Sequence, residues 1–263
     1  MRLTCALPAV LVTVVLMSGV TVLADEKPLK VFVFAGQSNI VGWLAKVSEM
    51  PPELKGEQTQ APYFNGRQWT PLAPRKVQGQ GFGPEISFAH KLTRELKEPI
   101  GIIKHGRGSS SLAEDWSPEN PKSLYAKLVA KVNAAKKSRK IEIVGMLWMQ
   151  GERDSNYPKM ANAYGVNLAK FIERARRDFE SPDMFFIAGR VNPPKAKFRF
   201  VDTVRKAQAK CRASRYAFID CDPLKKGPDN VHYTTEGYVE MGYRFADGML
   251  KLMKTMKSHG TGQ

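Results

Sequence analysis

The chain has 263 residues, with 41 Lys and Arg against 25 Asp and Glu, a formal net charge of +16 and only three cysteines. The length suits one substantial core, and the cysteine count excludes a disulfide-rich scaffold. The excess charge is lysine-heavy and scattered, with runs at Lys136–Lys140 and Pro193–Arg199. It carries no zinc-finger, helix-turn-helix or aromatic RNA-binding signature beside it, so a nucleic-acid partner is not indicated. A solvated basic surface and an anionic partner, such as a uronate-bearing polysaccharide, both fit it.

In chain order, the first element is expected to be an export signal, with a membrane anchor as the alternative. Arg2 precedes an apolar run that ends in Val22-Leu23-Ala24, which gives a charged start, an apolar centre and a small-residue cleavage site. Cleavage after Ala24 would leave residues 25–263 as a single domain. No later stretch is apolar enough to span a bilayer, so no stable membrane insertion is expected after cleavage.

Strands are expected over Leu29–Ala35, Ile100–Lys104, Ile141–Trp148, Met184–Val191 and Tyr216–Asp220, each a short apolar run. Amphipathic stretches lie between them, among them "EISFAHKLTRELK", "SLYAKLVAKVNAAKK" and "YGVNLAKFIERARRDF", and a last helix follows Thr234. This alternation predicts an α/β fold with a mostly parallel sheet of about five strands, covered by helices on both faces. The segment Gly42–Gly83 is rich in Pro and Gly and lacks periodicity. It is expected to be a long loop that can wall a substrate groove, with Tyr63, Phe64 and Trp69 either as sugar-stacking rings or as anchors that pin the loop to the body. Cys211 and Cys221 fall at opposite ends of a helix–strand hairpin. That places them too far apart to pair easily, because five or six strand residues cover about 20 Å and a disulfide tolerates about 7 Å between Cα atoms.

In parallel sheets the chemistry gathers on loops that leave the carboxyl ends of strands. The first such loop is Gly36-Gln37-Ser38-Asn39. Ser38 is either an ordinary turn residue or a nucleophile awaiting a base. Of the four histidines, His232 stands out. It lies just before the last helix and three residues after Asp229, a spacing that lets a carboxylate reach the imidazole Nδ1. Helix capping would explain the same pair. A second strand-end loop, "HGRGSSS", offers backbone N–H groups at Gly108 and Ser109, and a third, "WMQGERD", offers the Gln150 amide beside the carboxylates Glu152 and Asp154. Acyl transfer needs donors of this kind for a developing oxyanion.

Taken together, these blocks resemble the SGNH hydrolase superfamily. More narrowly they resemble its sialate O-acetylesterase-like, carbohydrate esterase family six members, which carry Gly-Gln-Ser-Asn, Gly-Gly-Thr-Ser, Trp-x-Gln-Gly-Glu and a late Asp-x-x-His in this order. "GPEISFAHKL" also looks like a segment of that family. The resemblance implies a three-layer, flavodoxin-like α/β/α sandwich and a serine esterase acting on acetylated carbohydrate without metal or cofactor, and the export signal would make it secreted or periplasmic. Ser38 would be the nucleophile, His232 the base and Asp229 its orienting acid, with Glu152 as a rival or helper. Ser38 and Gly108 backbone N–H groups and the Gln150 side chain would form the oxyanion hole. Acetylated xylan is the first substrate the resemblance suggests and acetylated sialic acid the second. A decayed, sugar-binding relative without turnover is the alternative. Ser109 and Ser110 replace the usual Gly-Thr, and a β-carbon at Ser109 resists the left-handed conformation that glycine accepts. Ile40 replaces a usual methionine, and Arg153 adds a positive charge beside the third loop. The sugar, the acetyl position and the oligomeric state have no signature in the sequence.

Overall fold

The computed structural model describes residues 27–74 and 81–260. The expected export signal, Cys5 and a short part of the Gly42–Gly83 segment lie outside the described residues. Among the described residues, no helix is long and apolar enough to cross a membrane.

The apolar runs form the centre of one seven-stranded sheet. Its strands are β1 (Leu29–Gly36), β2 (Gln58–Phe64), β3 (Trp69–Leu72), β4 (Ile100–Gly106), β5 (Ile141–Met149), β6 (Phe185–Arg190) and β7 (Tyr216–Asp220). They lie in the order β3-β2-β4-β1-β5-β6-β7. All neighbours are parallel except β2 and β3. The central strands are buried on both faces, which is why they read as continuous apolar runs.

Five of these strands match the expected ones to within two residues. The other two, β2 and β3, lie inside the segment expected to be a loop. Prolines conceal them: Pro62 sits opposite Pro71 in the antiparallel pair. Proline cannot donate to a ladder and normally argues against a strand, but it is tolerated at sheet margins. Here β3 is the edge, and β2 reaches β4 only through Tyr63 and Phe64, after Pro62.

The three aromatic rings of this hairpin are packing groups, which decides between their two expected roles in favour of anchoring. Phe64 is buried and lies 5.2 Å from the Trp69 ring. The Trp69 indole donates to Ser138 Oγ, and Lys131 sits over Tyr63. Trp69 and Tyr63 thus tie the hairpin to the helix beneath it, and Phe64 packs within the core against Trp69.

Six helices accompany the strands among the described residues: α1 (Ser38–Val41), α2 (Glu85–Leu96), α3 (Leu124–Ser138), α4 (Pro158–Asp178), α5 (Val201–Lys210) and α6 (Thr235–Gly260). Helices α2 and α6 pack together on one face of the sheet, where Phe88 meets Phe32 and Phe34. Helices α3, α4 and α5 cover the other face. There Trp116 meets Trp148 and Phe171 edge-to-face, Trp148 and Phe171 lie tilted against each other, and none of the three is exposed to water. Cys211 and Cys221 are both free thiols.

The chain leaves β1 to build the β2–β3 edge and returns to β4 on one side of β1. It then crosses to β5 on the other side. The carboxyl end of β1 is therefore the point where the strand order reverses, the place in such sheets where a crevice opens for ligand.

Candidate active site

Ser38 stands at that crevice. Gly36, the last residue of β1, has φ 144°, and a β-carbon there would overlap the Met149 carbonyl of β5. Glycine lets the strand run this close to its neighbour and turn at once. Gln37 N–H then donates to Met149 O, and the single-turn helix α1 starts at Ser38. Gly42 closes the turn in the left-handed conformation, its N–H donating to Ser38 O. Ser38 is thus held by backbone on both sides.

The Ser38 hydroxyl lies 2.9 Å from His232 Nε2. His232 Nδ1 lies 2.6 Å from Asp229 Oδ2. The other oxygen of Asp229 accepts the backbone N–H groups of Val231 and His232, so one carboxylate both shapes the loop and orients the imidazole. Partial burial alone would raise the Asp229 carboxyl. Hydrogen bonds from His232 and Val231 outweigh it and hold the group down to about 2. Of the two acids left open by the sequence, Asp229 is the one bonded to His232.

Glu152 is elsewhere. It is buried, and its Oε1 accepts from Asn39 Nδ2 at 2.9 Å. Asn39 also donates to Val231 O, and its own oxygen accepts from Tyr238 OH and Tyr233 N–H. Asn39 therefore ties the Ser38 turn to the His232 loop and to α6, and Glu152 anchors Asn39. Burial pushes the Glu152 carboxyl up. Its second oxygen has no partner among the described residues.

Gly108 approaches the nucleophile as expected: a β-carbon on it would lie 3.8 Å from Ser38 Cβ. Neither Ser38 N–H nor Gly108 N–H is donated to an acceptor among the described residues, so both are available to an oxyanion. Ser109 takes φ 56° in spite of its β-carbon, and the loop keeps the left-handed residue that glycine would hold more easily. Ser110 secures it by donating to Arg107 O and accepting from the Trp116 indole.

Gln150 departs from its expected place. It is fully buried, and its Nε2 donates to Ser110 O at 2.9 Å and to Asp154 Oδ2 at 2.6 Å, with Gln37 Oε1 a longer third contact. An amide nitrogen has two hydrogens, and both are committed. Gln150 therefore binds loops together here and is not an oxyanion donor. Asp154 is its partner in that task, a residue the sequence reading left without a role. The Asp154 carboxylate accepts Leu112 N–H and Ala113 N–H as well as Gln150, which pins the loop that carries Gly108. Burial raises the Asp154 carboxyl against the pull of these bonds.

A second buried pair holds the far side of the Ser38 turn. Lys104 donates to Glu85, to Val41 O and to Gly81 O. Glu85 belongs to the "GPEISFAHKL" segment, and its Oε1 also accepts Gly83 N–H. Burial lowers the Lys104 ammonium. Finally, Trp43 lies beside His232, with ring centroids 6.0 Å apart. Sequence reading passed over it, although a tryptophan on the loop after the first strand was a usable signal.

The chain is similar to known proteins over most of its length. A curated relative from Arabidopsis thaliana, named as a probable carbohydrate esterase, is 27% identical over 245 residues, which is 85% of this chain and 91% of that one. The solved structure of an Arabidopsis thaliana protein superposes with a TM-score of 0.75 at 24% identity, over 86% of this chain and 99% of that one. NanS does so with a TM-score of 0.68 at 17% identity, covering 87% and 98%. A carbohydrate acetylesterase from Xanthomonas citri gives 0.67 at 19%, covering 85% of this chain but 56% of its own. These likenesses establish the fold as that of SGNH-type hydrolases. Residues 28–251 match the family described as carbohydrate esterase, sialic acid-specific acetylesterase, and the chain belongs to that family of carboxylic ester hydrolases.

Proposed function

We propose that the protein is an exported serine esterase that removes O-acetyl groups from carbohydrate through an acetyl-Ser38 intermediate. The observation that carries this reading is the unbroken line from Ser38 Oγ to His232 to Asp229, at 2.9 and 2.6 Å.

In the first step Ser38 Oγ attacks the acetyl carbonyl carbon while His232 Nε2 takes its proton. The carbonyl oxygen becomes an oxyanion beside the N–H groups of Ser38 and Gly108. Asp229 keeps the imidazole in the productive tautomer and stabilises it once charged. The tetrahedral carbon collapses, the bond to the sugar oxygen breaks, and His232 gives its proton to that oxygen. Water, deprotonated by His232, then attacks acetyl-Ser38; the bond from the acyl carbon to Ser38 Oγ breaks, His232 returns the proton to that oxygen, and acetate leaves. Lys104–Glu85, Gln150–Asp154 and Asn39–Glu152 hold the three loops so that this geometry is preformed.

Acetylated xylan is the first substrate of this reading. Its uronate side groups suit the +16 formal charge of the chain. The family description favours a second reading, O-acetylated sialic acid, which is also anionic. Export rests on the predicted signal at residues 1–24, and N-terminal sequencing of the exported protein should begin at Asp25. Acetate release from both sugars by wild type and by Ser38→Ala tests the function. Release that disappears in the variant supports it. Binding of either sugar without release by the wild type would instead support the non-catalytic, sugar-binding alternative.

A further inference from the structure

Ser38 and His232 fix where the alcohol half of an ester must sit. His232 protonates the departing oxygen, so that oxygen lies within hydrogen-bond reach of Nε2. The ring next to this position is Trp43. Its plane is tilted 31° from the imidazole, and its centroid is 6.0 Å away. It is also the most exposed large apolar side chain among the described residues, at 65%. Leaving an indole in water forgoes hydrophobic stabilisation, so its position needs a reason.

The backbone around Trp43 holds it there. Gly42 has φ 89°, and a β-carbon on it would overlap the Phe82 carbonyl. Trp43 N–H and Gly42 N–H both reach Ser38 O, and Ala45 N–H returns to Gly42 O. Leu44 packs against Gly227 in the loop that leads to Asp229. Lys46 N–H donates to Thr235 Oγ1 at the start of α6. The residues on either side of Trp43 are therefore anchored to the turn of Ser38 and to the loop of His232. The indole is presented as a fixed, flat, apolar face at the rim of the crevice.

A flat apolar face beside a hydrogen-bonding centre matches a pyranose, whose C–H face is apolar and whose hydroxyls point outward from the ring edge. We infer that Trp43 forms a sugar-ring binding site, on which the pyranose bearing the acetyl group stacks while its ester oxygen lies at His232 Nε2. The inference rests on the esterase reading above and adds to it the element that selects carbohydrate over other acetate esters. A packing role, in which the indole only shields His232, makes a different prediction, because every ester would then feel its loss equally.

The test compares wild type, Trp43→Ala and Trp43→Phe on three esters: acetylated xylo-oligosaccharide, O-acetylated sialic acid and ethyl acetate, which has no ring to stack. The inference expects Trp43→Ala to raise KM for a cleaved sugar about tenfold with kcat less affected, the size of an aromatic stacking contact. The loss on ethyl acetate should be much smaller, and Trp43→Phe should restore most of the sugar affinity. Equal losses on sugar and ethyl acetate, or an unaltered KM for the sugar, would overturn the site while leaving the esterase standing. A wild type that cleaves ethyl acetate but neither sugar would overturn the carbohydrate reading, and this site with it.

Discussion

Two carboxylates flank the Ser38 turn, and the fold treats them in opposite ways. Asp229 keeps contact with water, its side chain 42% exposed, and is bonded to an imidazole and two N–H groups. These bonds hold its pKa down to about 2. Glu152 is buried with a single side-chain partner, and burial pushes its carboxyl up. The lesson is that a triad needs its working acid charged and its supporting acids fixed. Water and donors keep the first ionised, while burial disfavours the charge of the second.

Substitutions can break that comparison. The largest effect should follow Asp229→Asn, which preserves shape but loses the charge and the preferred tautomer. A fall in kcat of roughly 10³- to 10⁴-fold on an aryl acetate is expected, with little change in KM. Glu152→Gln should retain most of kcat, because its amide oxygen can still accept from Asn39. Reversed magnitudes for these two variants would exchange the roles assigned to the two acids.

The supporting acids should register in stability. Asp154→Asn removes an acceptor from the set formed by Leu112 N–H, Ala113 N–H and Gln150. It should lower unfolding free energy by about 1–3 kcal/mol in urea titrations. Glu152→Leu should cost a similar amount by leaving an Asn39 hydrogen unpaired, whereas Glu152→Gln should not.

The smallest effect is on pH dependence, and its sign differs between the two acids. Asp229 is lowered from 3.8 to about 2. Its contribution is present above its unfolded value and disappears as pH falls through the folded one, so Asp229→Asn should flatten the stability profile between about pH 4 and pH 2. Exposure limits the amplitude to about 0.5 kcal/mol. Glu152 is raised above 4.5, so the native state holds its proton more tightly than the unfolded chain. Its contribution therefore declines as pH rises beyond that value, and Glu152→Gln should remove the decline. Unfolding curves of the two variants collected on both sides of the ordinary carboxylate range would show the opposite slopes directly.

Sequence disclosed the two acids but not this division of labour. Ser38, Gly108, Asp229 and His232 were legible because each falls on a strand-end loop in a recognisable block. The five apolar strands were legible for the same reason that they are central: both faces are buried. Strands β2 and β3 were not, because Pro62 and Pro71 make marginal strands look like turns. Gln150 was placed at the correct strand end, but its amide turns inward to Asp154 and Ser110. No spacing rule reports which way an amide points. Glu152 could not be ranked against Asp229, since both lie on loops that only the folded sheet brings together.

The central claim is that Ser38 carries the acyl group. The most direct measurement is acid-quenched reaction with an aryl acetate followed by peptide mass analysis, with wild type, Asp229→Asn and Ser38→Ala in parallel. One acetyl group is expected on the peptide containing Ser38. It should accumulate further in Asp229→Asn if that variant slows deacylation more than acylation, and be absent from Ser38→Ala together with turnover. Turnover that survives in Ser38→Ala, or an acetyl group found on another residue during turnover, would contradict it.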